Sequence, residues 1–409
     1  MTRNSDDSVR VLLYTGKGGV GKTTAAAGTA TLAAARGLRT LVLSTDAAHS
    51  LADAFDETVH GQPTEIDDNL FVQQVDAQHR FEVSWGEIQE YLLDLLDAAG
   101  VDPIAAEELT VLPGAEEILA LLELRDQVKS ARWDLVVIDC APTAETLRLL
   151  ALPEALTWYM DRVFPAERRL IRAFKPVLTR ATGMPMPHER VFDAVERLHA
   201  DLLEVRELLS GDNASVRLVL TPESVVVAEA RRSMTTLSLY GYRVDGVVAN
   251  RIFPSAGADA WRRQWVAAQS TILEEVRHSF APMPIWHSPY RSCEPVGVAE
   301  LAAFAAEVYG DDDPFGPPPG ESPVRIERDA ETDEVRLRWE LPFAARDEVD
   351  LARHGDELVV TVGSYRRVLA MPAALRRCEV GGAGLQDGAL VVRFREPQEA
   401  AQAGQERAQ

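Results

Sequence analysis

The sequence predicts an α/β fold with a mostly parallel, helix-covered sheet and a helical subdomain, plus a small all-β sandwich domain at the C-terminus. Three observations carry that expectation. Short apolar runs without alternation, such as RVLLYTG (10–16), RTLVLSTD (39–46) and WDLVVID (133–139), recur between helical stretches. Strands covered by helices on both faces need that texture. A Gly-rich turn joins the first strand to an alanine-rich helix that stops near Gly37. Finally, the texture changes at DDDPFGPPPGESP (311–323), beyond which the strands are short and alternating.

The remaining elements follow in order. LFVQQVD (70–76) reads as a strand, then helical stretches fall around 80–98 and from Ala115 to Lys129. Long helical segments carrying Trp158, Met160, Met184 and Met186 follow the strand at 133–139, so helical insertions are expected at about 77–130 and 156–210. Strand-like runs return at 215–221, 243–253 and 283–289, alternating with helices. Such alternation implies right-handed crossovers between parallel strands. Domains are therefore expected at 1–310 and 324–396, joined by a linker at 311–323 and ended by a polar tail at 397–409. A chain ending near Asp313 is expected to fold without the β module, which at ~75 residues lies near the lower limit for independent stability.

Composition narrows the function. Of 409 residues, 46% are hydrophobic and 26% charged, the balance of a folded globular protein. No apolar run approaches the ~18 residues of a membrane span, and the polar start MTRNSDDSVR shows no signal peptide. The three cysteines, Cys140, Cys293 and Cys378, form neither a disulfide framework nor a metal knuckle. The expected location is cytoplasmic. A net charge of −22, from 42 basic and 64 acidic residues, argues against nucleic acid and anionic membranes as partners. Only four lysines occur, and two of them, Lys17 and Lys22, lie within six residues of each other. Arginine evidently does not replace them there.

Gly16-Lys17-Gly18-Gly19-Val20-Gly21-Lys22-Thr23, with Thr24 following, fits the phosphate-loop pattern G-x-x-x-x-G-K-[ST], with a strand before it and a helix after it. Glycines let backbone N–H groups converge on phosphate oxygens, and the helix end adds positive potential. Lys22 is expected at the β- and γ-phosphates, and the Thr23 hydroxyl on Mg²⁺. Asp46 ends the second strand, where a carboxylate can activate water against the γ-phosphate or join the metal-side groups. A helix cap is the competing reading, because AAHSL follows it. Asp139 ends LVVID, the place of an acid that holds Mg²⁺ through water.

Four ordered segments resemble the ArsA-type ATPases, which comprise arsenite-pump ATPases and the targeting ATPases for tail-anchored proteins. They are KGGVGKTT, STDAAHSLADAF, LPGAEEILAL and IDCAPTAETLRLLALP, and ANRIFP adds Asn250. The resemblance covers about 8–310 and implies a P-loop ATPase of the deviant Walker subclass. In such a dimer Lys17 reaches the partner's nucleotide, Asp46 serves as a switch I acid, and Asn250 contacts adenine. This sequence departs at Ala47, where the family has proline, and at Ala144-Glu145, where it has Gly-His. The ATPase region has no cluster of thiols for a soft metalloid. RVLAMPAALRRCEVGGAGLQDGALVVRF is similar to the small heat-shock-protein domain.

The expectation is a Mg²⁺-dependent ATPase that hydrolyses ATP in a dimer, either with itself or with a paralogous ATPase, to drive a conformational switch. Three alternatives stay open. One is an ATP-dependent targeting or chaperone carrier with a hydrophobic or membrane-protein client. Another is the ATPase subunit of an arsenite-efflux pump. The third is a positioning ATPase of the MinD/ParA kind, which would normally carry an amphipathic membrane helix or a basic DNA patch.

Overall fold

A computed structural model describes residues 9–45, 50–75, 93, 115–140, 160, 189–318, 320–328 and 334–395. Asp46, most of the helical stretch at 80–98, most of the segment 141–188 and the tail at 397–409 lie outside the described residues. The first part of the chain runs β1 (Arg10–Thr15), α1 (Lys22–Ala35), β2 (Thr40–Ser44), α2 (Ser50–Phe55), β3 (Thr64–Asp67) and β4 (Leu70–Gln74). Then come α3 (Ala115–Lys129), β5 (Leu135–Asp139), α4 (Glu189–Ser210), β6 (Ala214–Leu220), α5 (Ser224–Tyr240) and β7 (Val244–Ile252). After these, α6 (Ala260–Phe280), β8 (Ile285–Pro289) and α7 (Val298–Tyr309) precede the C-terminal strands. Those strands are β9 (Val324–Arg328), β10 (Val335–Glu340), β11 (Val349–His354), β12 (Glu357–Val362), β13 (Tyr365–Ala370), β14 (Glu379–Gln386) and β15 (Ala389–Arg395). A one-turn helix, α8 (Ala373–Arg376), interrupts them.

The chain divides into two compact units, Met1–Ala214 with Arg291–Pro317, and Ser215–Tyr290 with Pro318–Gln409. In the first unit the strand order is β3-β4-β2-β5-β1. β5 pairs in parallel with both β1 and β2, so Asp139 faces Tyr14 on one side and Ser44 on the other. Every residue of β1, β2, β4 and β5 is buried, which is why these strands read as unbroken apolar runs. β3, which the apolar pattern does not signal, is an antiparallel edge strand whose residues are half-buried or exposed.

α1 is rich in alanine and carries a glycine, Gly28, at its middle because α7 lies hard against it. A Cβ on Gly28 would sit 2.9 Å from Phe304 Cδ1 and 3.1 Å from the Leu301 carbonyl oxygen. Three buried hydroxyls join the same elements. Thr29 Oγ1 lies 2.6 Å from the Tyr14 hydroxyl and 2.9 Å from that of Tyr309, and the two tyrosine oxygens are 3.0 Å apart. Thr29 gives its own proton to the Ala25 carbonyl at 2.7 Å, so the tyrosines act as donors to its oxygen. The proline-rich stretch that follows α7 is held against this unit. Arg10 Nε donates to the Gly316 carbonyl at 3.0 Å, Arg36 Nη1 donates to the Asp312 carbonyl at 3.1 Å, and the Arg36 guanidinium lies 5.4 Å from the Phe315 ring centre.

In the second unit β6, β7 and β8 are parallel neighbours. A buried Arg217–Asp245 pair at 2.8 Å ties β6 to β7, with Ser215 donating to the same carboxylate. The C-terminal strands form two antiparallel sheets, β14-β15-β10-β9 and β11-β12-β13. Their shared core takes in Leu239, a residue of α5. The fully buried indole of Trp339 donates to the Ser238 and Leu239 carbonyls at 3.2 and 3.1 Å. Arg367 Nη1 donates to the Leu239 carbonyl at 2.7 Å, and its guanidinium lies 5.0 Å from the Trp339 ring centre. Carbonyls at a helix end have no intrahelical partner and need donors from elsewhere. The Gly241 N–H also reaches the Ser238 carbonyl, whereas the β sandwich supplies the donors for that of Leu239, and this works against the separability that the linker composition implies.

Trp339→Phe keeps a large ring but removes the donor. It should cost about 1–2 kcal/mol, measured as a lower urea midpoint at unchanged slope; an unchanged midpoint would contradict this account of the contact. A chain stopped after Asp313 loses every such contact and uncovers Leu239, so it should melt lower than the full chain.

Candidate active site

The loop between β1 and α1 turns through residues that need glycine. Gly19 has φ 79° and Gly21 φ 91°, both left-handed. A Cβ on Gly18 or Gly19 would meet nothing within 4 Å, so neither glycine is there to make room for a protein neighbour. Gly21 is the N-cap of α1 and brings no side-chain cap, and the first helical turn carries no acid. The leading N–H groups of α1 are thus left for an anion from outside the helix, at the end where the helix dipole is positive.

Lys22 opens α1 and is only 8% exposed. No described carboxylate pairs with it. A buried ammonium without a carboxylate suits an incoming phosphate, because burying an unpaired charge is costly. Lys17 is half-buried within the loop. Thr23 points its hydroxyl across to β5, donating to Asp139 Oδ2 at 2.6 Å, and Asp139 is 1% exposed. Such a short bond to a carboxylate is charge-assisted. The register of the sheet sets this meeting: Asp139 is the last residue of β5, opposite Tyr14 of β1, two residues before the loop begins.

The residues present fit a magnesium ion. Hard divalent cations take oxygen ligands, and the Thr23 hydroxyl and Asp139 carboxylate bring two such groups to the mouth of the loop. A third oxygen there went unnoticed in the sequence. Ser50 Oγ, from the first residue of α2, lies 3.3 Å from Thr23 Oγ1. Its signal is its place within STDAAHSLADAF, four residues after Asp46.

The fold gathers Gly16 through Thr24 and Asp139 into one cluster. Asp46 is outside the described residues, although β2 delivers Ser44, two residues before it, beside Asp139. Asn250 belongs to the second unit, near the end of β7, where it is 7% exposed and accepts the Arg251 N–H at 2.9 Å. On β8, His287, the strand partner of Ala249, is held below the ordinary histidine value by burial first and by the Arg277 charge second. Cys140 is buried just after β5 and Cys293 is exposed. Among the described residues no group of three or more His, Cys, Asp or Glu is arranged to hold a metal ion.

A phosphate loop on a mostly parallel, helix-covered sheet, with a threonine and a strand-end acid meeting beside it, defines the P-loop class of nucleotide-binding proteins. Comparison with known proteins narrows the class. The family model for the ArsA anion-transporting ATPase matches residues 9–310. The model for the HSP20-like domain found in ArsA matches residues 332–394. A protein of Chlorobaculum tepidum, provisionally named an arsenical pump-driving ATPase, is 36% identical over 94% of this chain and 96% of its own length. An uncharacterized protein of Streptomyces coelicolor is 39% identical, over 94% of this chain and 97% of its own length. A Trypanosoma cruzi protein named an ATPase ASNA1 homolog is 30% identical over 71% of this chain and 88% of its own length. The chain belongs to the ArsA ATPase family and is an ATP hydrolase.

Lys22→Ala should weaken ATP binding by on the order of 100-fold, which corresponds to ~2.7 kcal/mol. Fluorescence titration with a labelled ATP analogue would measure it. Affinity within threefold of the parent protein would remove Lys22 from the phosphate site.

Proposed function

We propose that this ArsA-family enzyme hydrolyses ATP with Mg²⁺ as a dimer and uses the hydrolysis to switch between two conformations. The observation that carries the reading is the Thr23–Asp139 hydrogen bond, set beside a buried Lys22 that no described carboxylate neutralises. In this reading, backbone N–H groups of Gly16 to Thr24 cradle the phosphates, and Lys22 balances charge on the β- and γ-phosphates. Thr23, Asp139 and Asp46 would hold magnesium, which when bound neutralises phosphate charge. Asp46 orients the attacking water, and Asn250 holds the adenine. Lys17 reaches the nucleotide of a partner chain, either a second copy or a paralogous ATPase. The workplace is the cytoplasm; no described helix is long and apolar enough to cross a membrane.

Association has support from the second unit. Phe253 stacks on Tyr290 with ring centres 5.1 Å apart, and Trp261 and Trp265 flank it at 6.3 and 6.1 Å. Trp261, Trp265 and Tyr290 are 61%, 43% and 50% exposed. Exposed clusters of large aromatics mark surfaces that bind other chains.

A second reading, a carrier of hydrophobic protein clients, is favoured by the β sandwich. Its edge strand β9 exposes Ile326 beside a cavity of about 260 Å³ lined by Leu337, Leu358, Leu369 and Met371. An extended segment could add to such an edge. Relatives named arsenical pump-driving ATPases make an arsenical the substrate of a further reading, and addition of arsenite to the hydrolysis assay tests it directly.

Asp46→Asn should bind ATP with near-parental affinity but turn over at least 100-fold more slowly, a loss within the usual contribution of general-base catalysis. Phosphate release by the variant at the parental rate would remove the water-orienting role. The same trapped variant, sedimented with ATP and Mg²⁺ at tens of micromolar, an order-of-magnitude choice for a modest interface, should run as a dimer. A monomer under those conditions, alone and with any paralogous ATPase, would rule out the shared site.

A further inference from the structure

We infer that Ser50 is a positioning residue of the metal site, a third oxygen that fixes the Thr23 hydroxyl and links metal occupancy to α2. The inference rests on the magnesium-dependent reading above and assigns it a residue from a different element. Its basis is the proton count at Thr23. The Thr23 hydroxyl has one proton and two lone pairs. It spends the proton on Asp139 Oδ2 at 2.6 Å. The contact between Thr23 Oγ1 and Ser50 Oγ at 3.3 Å is therefore one in which Ser50 donates and Thr23 accepts. One lone pair of Thr23 is then engaged by Ser50 and the other remains for a cation. Together the two bonds leave Thr23 one orientation, with its second lone pair facing away from both α2 and β5. A first-turn threonine without them would turn among staggered rotamers.

Ser50 is held in place by the element that carries it. Leu51 and Phe55 of α2 are 0% and 2% exposed, and the Gly297 N–H, at the start of α7, donates to the Ala54 carbonyl at 2.9 Å. The hydroxyl thus stands at the loop because a packed helix brings it there. A cation bound at Thr23 draws electron density from its oxygen and weakens it as an acceptor, so the Ser50 bond reports occupancy of the site. Through Ser50 the change reaches α2, which directly follows the segment with Asp46. Groups that orient a metal ligand typically change metal affinity by about 10–100-fold when removed.

The test uses the full-length protein, MnCl₂ as a paramagnetic substitute for magnesium, and ADP. Free Mn²⁺ is counted by electron paramagnetic resonance in the presence of ADP, and ADP affinity is measured separately in EDTA. Ser50→Ala should weaken Mn²⁺ binding by about tenfold, leave ADP affinity in EDTA unchanged, and be rescued by Ser50→Thr, which restores a hydroxyl. Mn²⁺ affinity within twofold of the parent in Ser50→Ala would overturn the inference. Equal losses with and without metal would also overturn it, since Ser50 would then serve packing alone. If the parent protein itself shows no Mn²⁺ binding with ADP, the magnesium-dependent reading fails first and takes this inference with it.

Discussion

The buried carboxylate of Asp139 organises the site. It stands at the carboxyl end of β5, between β1 and β2 in the sheet, and is 1% exposed. An acid there would be expensive to bury without donors, and the hydroxyl of Thr23 is one of them. That bond joins the first turn of α1 to the strand beside β1. The phosphate loop, which spans β1 and α1, therefore has both ends referred to a single residue, through its backbone on the β1 side and its carboxylate on the α1 side. On the far side the Tyr14, Thr29 and Tyr309 hydroxyls tie the same strand and helix to α7. The loop itself is open and glycine-rich, so its shape comes from this two-sided fastening of the elements that flank it.

The second unit follows a different logic. Its β sandwich is too small to be comfortable alone, and it takes Leu239 from α5 into its own core. In return Trp339 and Arg367 satisfy carbonyls at the end of that helix. Each side provides what the other lacks, an apolar residue for the core in one direction and hydrogen-bond donors in the other. The exposed face of the same unit carries the Phe253, Trp261, Trp265 and Tyr290 cluster instead of a smooth polar surface.

Much of this was legible in the sequence because it is written in local patterns. Continuous apolar runs identified β1, β2, β4 and β5, and the run from Ala115 to Lys129 is a helix with those bounds. The loop residues Gly16 to Thr23 follow from spacing alone. The edge strand β3 was not legible, since TEID has the polarity of a loop and becomes a strand only by pairing with β4. Nor was Ser50, because its hydroxyl meets Thr23 through folding and not through spacing. The grip of Trp339 on α5 spans about a hundred positions of sequence and leaves no periodic trace. Similarly, the proline-rich stretch has a linker's composition, yet Arg10 and Arg36 bind its carbonyls.

The most direct measurement is magnesium-dependent phosphate release from ATP by the parent protein and by Asp139→Asn. The substitution preserves shape and removes the charge that accepts the Thr23 proton and would face a bound metal. The account predicts magnesium-dependent release by the parent and a loss of at least 100-fold in the variant, or ~2.7 kcal/mol in the barrier. Phosphate release at the parental rate by Asp139→Asn, with the same dependence on magnesium, would contradict it.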